Sequence, residues 1–185
     1  MERETLAQRL GMAPHVSALL TKAEGLGLRV PEDLEWLATA RGLRYYSSPS
    51  EVAMVRESPA LHGVEDFSNE ELALALLSIC LPYSQQRIRM GAAMLAAEGN
   101  SPADIARLAG RERNERVVHY LARLGEQVEP ANPFWSEILA HLPEFDPPEP
   151  DLLPHVTRFV AMTGYTRRGS ETVMQWIRPQ ASVVA

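Results

Sequence analysis

Apolar residues recur along this chain at helical spacing, in short runs that each open on a capping residue. Three stretches read nearly alike: Ser48-Pro49-Ser50-Glu51-Val52-Ala53, Ser68-Asn69-Glu70-Glu71-Leu72-Ala73 and Ser101-Pro102-Ala103-Asp104-Ile105-Ala106. Each places a hydroxyl where unpaired backbone N–H groups need an acceptor, and an acid three residues on, beside the positive end of a helix. Two also carry proline at the first helical position, where its missing N–H costs nothing.

The pattern predicts helices over 2–10 and 14–24, ended by Gly11 and by Gly25–Gly27. Another starts at Pro31 with Leu34, Leu37 and Ala38 inward and Gly42 as its stop. Further helices are expected over 48–57, 69–81, 84–98, 102–109, 114–124 and from Asn132-Pro133 to Leu142. The 69–81 run is apolar on nearly every face, which predicts the buried centre of the fold. In 84–98 the small residues Gly91, Ala92 and Ala93 admit a close neighbour. Strong starts at 31, 68, 101 and 132 are spaced like αα-hairpins. Tetratricopeptide and ankyrin consensus residues are missing, and a bundle explains the same caps. The expected class is therefore mainly α: an irregular multi-helix bundle or stacked αα-hairpins, with a C-terminal extended arm and a β-hairpin.

Three regions follow: a helical domain 1–142, a proline-rich arm 143–155, and a hairpin appendage 156–180 packed on the helices. Four prolines within 143–151 forbid regular structure there. Val156–Thr163 and Thr172–Ile177 are rich in β-branched and aromatic residues and flank a polar tip, 164–170. A hairpin alone is barely stable, so Phe159 and Trp176 are expected to pack on the helical body.

Composition narrows the classes. A chain of 185 residues with 45% hydrophobic and 23% charged residues is an ordinary globular protein with a real core. A net charge of −6 argues against a chain devoted to nucleic acid. The single cysteine, Cys80, excludes an internal disulfide and suits a reducing compartment. The first ten residues, MERETLAQRL, have no signal-peptide core, and the apolar stretch Leu72–Leu81 is too short to cross a bilayer. A cytoplasmic protein without a membrane partner is expected.

The segment 101–125 carries the most suggestive chemistry. Ile105-Ala106 lie in its first helix, Gly110 stands four residues on, and arginines line the second helix, so the segment resembles a helix-turn-helix unit. The resemblance implies a turn at Gly110 and contacts to bases or phosphates from Arg111, Arg113 and Arg116, with Arg107 beside them. It departs from the pattern at Val117, seven residues past the glycine where the usual anchor stands six past. Glu112 and Glu115 stand among the arginines and repel phosphate.

Charge runs in blocks: basic from Arg87 to Arg123, acidic without a lysine or arginine from Glu126 to Asp151, basic again beyond. The acidic arm is expected either to lie across an arginine-rich face of its own chain or to dock on a charged partner. Arg167-Arg168 at the hairpin tip is a candidate anion site, and Phe134-Trp135 a candidate protein contact or core pair. His15, His62, His119, His141 and His155 are scattered without metal-ligand spacing, and no phosphate loop or nucleophile elbow is present. No cofactor or metal is expected. The sequence therefore favours a non-enzymatic interaction or regulatory module with a protein partner or a second copy of itself. A DNA-binding regulator using 101–125 is the alternative, and an enzyme with a cleft between helices and hairpin a second.

Overall fold

The computed structural model describes residues 4–46, 64–155, 167–168, 171–172 and 175–179, and over these the protein is mainly helical. The helices are α1 (Leu6–Arg9), α2 (Ala18–Gly25), α3 (Glu32–Ala40), α4 (Asn69–Leu76), α5 (Gln85–Leu95), α6 (Pro102–Glu112), α7 (Glu115–Val128) and α8 (Pro133–His141). The helix expected over 48–57 lies outside the described residues, as does the strand expected over 156–163.

Local chemistry explains where the helices begin. Ser68, Ser84 and Ser101 accept from the backbone N–H groups of Glu71 (3.1 Å), Arg87 (3.2 Å) and Asp104 (3.3 Å), and Asn132 from that of Phe134 (3.1 Å). Thr5 with Gln8 and Ser68 with Glu71 close full capping boxes. After α3 and α5 the chain turns at Gly42 (φ +102°) and Gly99 (φ +88°), a backbone that residues with a Cβ rarely adopt.

The centre forms around α4, whose residues Leu72 to Leu76 are all buried. It packs on α2, α3, α5 and α6, while α6, α7 and α8 pack on one another. The α4–α5 contact is close: a Cβ on Gly91 would lie 2.6 Å from Leu77 Cγ, so only glycine fits there. The same holds where α7 meets α8, since a Cβ on Gly125 would lie 2.2 Å from Trp135 Cδ2.

Several helix ends differ from expectation: α1 and α2 start four residues late, α5 stops three residues short at Leu95, α7 runs on to Val128, and two further ends have a visible cause. The 69–81 helix stops at Leu76, because the carbonyls of Ile79 and Leu81 accept from Ala7 (2.8 Å) and Leu6 (3.0 Å) of α1. Bonding to a distant segment replaces the last helical turn, and Ser78 Oγ accepts from Cys80 N (3.3 Å) to hold the unwound chain. Conversely, α6 runs past Gly110 to Glu112.

Four short strands complete the description. β1 (Arg44–Tyr46) pairs antiparallel with β4 (Gln175–Ile177), and β2 (Arg167–Arg168) with β3 (Glu171–Thr172). Residues 175–177 thus pair with the segment after α3; the pairing with 156–163 expected from the sequence lies outside the described residues. Arg167 and Arg168 form β2, in register with Thr172 and Glu171 of β3, with only 169–170 between the two strands. The expected packing of Phe159 and of the Trp176 side chain lies outside the described residues. Arg178 pins this end to the body through Glu129 (2.9 Å), and the Pro179 carbonyl accepts from Glu98 N (3.3 Å).

Candidate functional site

The α6–α7 junction departs from the helix-turn-helix resemblance in an informative way. Gly110 is helical, and the chain reverses instead at Arg113, whose φ of 55° is left-handed. Arg113 N and Asn114 N donate back to the Gly110 (3.4 Å) and Ala109 (3.1 Å) carbonyls, which closes the helix end. The extra turn is held by Glu112, which is buried against the start of α2. Its carboxylate accepts from Ser17 Oγ (2.5 Å) and from Leu19 N (3.1 Å), so an acid of α6 caps α2. Asn114 is fully buried; its Nδ2 donates to the Leu74 carbonyl (3.4 Å), and its Oδ1 has no partner.

Half of α7 faces inward through Val117, Val118, Leu121, Ala122, Leu124 and Gly125. The opposite stripe, Arg116, Tyr120, Arg123 and Gln127, is the face that would enter a DNA groove. It is not bare, because the arm 143–155 runs along it. Arg123 reaches Glu144 of the arm (3.2 Å) as well as Glu126 on its own helix (3.4 Å). The His119 ring stands edge-on to Phe145, with centroids 5.5 Å apart, and its Nε2 lies 3.4 Å from Glu144 Oε2 without hydrogen-bond alignment. Tyr120 donates to the Pro154 carbonyl (3.0 Å), and burial pushes its phenol pKa up. Beyond α7, Arg9 donates to the carbonyls of Asp151 (2.6 Å) and Leu152 (2.9 Å) and stacks over Tyr83. Leu153 enters the core. The complementarity expected between the acidic arm and an arginine-bearing face is thus present as direct contact at Arg123.

Beside the arm lies an open cleft of about 420 Å³, lined by Met12, Arg113, Glu115, Arg116, Phe145 and Asp146. A second, of about 350 Å³, lies between the starts of α4 and α6 and is lined by Ser68, Glu70, Glu71, Asp104, Arg107, Leu108 and Arg111. This second cleft is a seam of internal pairs. Glu70 accepts from Ser101 N (3.0 Å), Arg107 pairs with Asp104 (2.8 Å), and Glu71 holds Lys22 (2.8 Å). Burial pushes the Glu71 carboxyl up, yet Lys22, the Ser68 N–H and the more distant Arg111 charge together hold it below the usual range.

The structure therefore gathers Arg113 and Arg116 at one cleft and Arg107 and Arg111 at the other. It does not expose Trp135, which is fully buried with its Nε1 donating to Glu129 (2.7 Å); Phe134 is half-buried, edge-on to it. Trp135 thus serves the core and not a surface groove. Any anion contact by the Arg167 and Arg168 side chains lies outside the described residues. A pairing the sequence spacing hid is Cys80 with His15: the thiol donates to the His15 carbonyl (3.1 Å), and ring Nδ1 stands 3.5 Å away. Among the described residues no group of three or more His, Cys, Asp and Glu could hold a metal ion, and no helix is long and apolar enough to cross a membrane. Compared with family models, curated proteins and solved structures, the chain matches none. Function must then be argued from the site itself.

Proposed function

We propose that this chain is a non-enzymatic protein-interaction module whose binding surface is the outer stripe of α7 with the α6–α7 turn. The observation that carries this reading is the acidic company kept by every arginine from 107 to 123. Arg107 pairs with Asp104 and Arg123 with Glu126 and Glu144, while Arg111 shares its cleft with Glu70 and Glu71, and Arg113 and Arg116 share theirs with Glu115 and Asp146. A duplex laid there would set its phosphates against those carboxylates, which undoes the electrostatic gain that nucleic-acid binding depends on. Alternating charges around a shallow cleft suit a protein surface, where complementarity fixes register and selects the partner. We read the helices as an irregular bundle, not a stack of hairpins, because α4 and α6 each touch four other helices. A lone thiol suits a reducing, cytoplasmic setting. The enzyme alternative, a cleft against the C-terminal hairpin, falls largely on residues and side chains outside the described set.

The test is selection from a displayed random-peptide library on the full chain, with the Arg116→Glu, Arg123→Glu double variant as counter-target. Ligands that bind the wild type saturably and lose about tenfold or more in affinity on the double variant are expected. A library that yields no such ligand, or a duplex that binds with a steep salt dependence, overturns the reading. Sedimentation of the free chain tests whether the partner is a second copy.

A further inference from the structure

We infer that the α7 face takes an extended, acidic, proline-containing peptide with an aromatic residue, and that the chain's own segment 143–151 is the intramolecular stand-in for it. The inference rests on the preceding reading that this face binds proteins, and names the class of partner. Segment 143–151 reads Pro-Glu-Phe-Asp-Pro-Pro-Glu-Pro-Asp. It follows α8 immediately and lies on α7 as a bound peptide would, held by side chains. Glu144 meets Arg123 and His119, and Phe145 sets its ring against His119. Among the described residues no backbone hydrogen bond joins 143–150 to the helices.

Three observations make this occupancy exchangeable. The Glu144 side chain is 80% exposed, so the ion pairs that hold it are solvated and weak. The firm anchors come only from Asp151 onward, where Arg9 and Tyr120 grip main-chain carbonyls and Leu153 is buried. The cleft beside Phe145 is open, with Arg113 and Arg116 on its wall and room for side chains that the segment does not supply. On the helix side Arg113, Arg116 and Arg123 stand against Glu115 and Glu126, and the other acids at this face, Glu144 and Asp146, belong to the segment itself, so its departure leaves a net positive face that fixes the ligand's sign. Prolines keep such a ligand extended before it binds, which lowers the ordering cost.

The experiment titrates a labelled peptide of sequence PEFDPPEPD into the full chain and follows anisotropy. In the wild type the tethered copy competes at high effective concentration. A chain carrying Glu144→Gln and Phe145→Ser should therefore bind the peptide about tenfold more tightly than the wild type. Adding Arg123→Glu should abolish that binding, and raising salt should weaken it. Should the loosened variant fail to fold, the wild type carries the test: excess peptide must accelerate protease cleavage within 143–151. No saturable binding to the folded loosened variant, equal binding of a scrambled peptide, or no protease response in the fallback overturns the inference. Tighter binding of an oligonucleotide than of the peptide reassigns the face to nucleic acid. Library ligands that map to Arg116 and Arg123 but lack acids overturn this inference alone and leave the interaction reading intact.

Discussion

At the scale of single residues, stability rests on close fits where one helix meets another. Gly125 is the plainest case, since Trp135 occupies the space any Cβ would need. Gly125→Ala should cost about 1–3 kcal/mol in urea unfolding, the usual range for overpacking a core. Combined with Trp135→Leu, it should cost less than the two single changes added, because the clash is shared. Strict additivity would show that the two residues do not collide. Glu112 presents the opposite problem, a buried acceptor with two donors. Glu112→Ala leaves the Leu19 N–H and the Ser17 hydroxyl without their carboxylate and should cost about 1–3 kcal/mol. Glu112→Gln, which keeps an acceptor, should cost less. Equal losses in the two variants would mean that the charge or the second acceptor oxygen, which both variants lack, is what holds the site, and not a single acceptor of that shape.

At the scale of elements, α4 depends on a charge that acid removes. Glu71 closes its own capping box and holds Lys22 of α2, and its folded-state carboxyl lies below the ordinary range. Its stabilising effect is therefore complete above the unfolded value, about pH 4.3, and is lost as pH falls through the lower folded value. The stability gap between wild type and Glu71→Gln should be below about 1 kcal/mol near neutrality, as expected for a solvated pair, and should close on acidification. A gap that does not narrow as pH is lowered from neutrality through the carboxylate range would refute the assignment. The same helix shows what a sequence can and cannot reveal. Its start at Ser68 and its apolar faces were legible because caps and periodicity are local properties. Its end was not, because the carbonyls of Ile79 and Leu81 bond to residues more than seventy positions away. Likewise the sequence predicts the turn after α6 at Gly110, where backbone freedom is greatest. It falls at Arg113, because Glu112 must reach Ser17. Of the candidate site, the arginines and the acidic arm were visible as charge blocks. Their meeting on α7 was not, since nothing local says which helix an extended segment will follow.

At the scale of the whole molecule, the arm is a strap fixed at both ends, and this sets how it can open. One end continues from α8; the other is anchored by Leu153 in the core and by Tyr120 and Arg9 on carbonyls of Asp151, Leu152 and Pro154. Further along, β4 pairs with β1, and Arg178 binds Glu129. Opening the strap therefore leaves the helices with their own caps and their own buried faces. Leu153→Ala removes the anchor, and Leu→Ala changes in cores cost about 2–5 kcal/mol. If that loss falls on the strap alone, cleavage within 143–155 should accelerate at least about thirtyfold, because local cleavage follows the population of the open form. The urea midpoint of the helical signal should barely move. Ile138→Ala, at a buried position of α8, should instead lower the midpoint and raise cleavage together. Should Leu153→Ala also lower the midpoint in proportion to its cleavage rate, strap and helices unfold as one unit, and a peptide could displace the strap only by unfolding the protein.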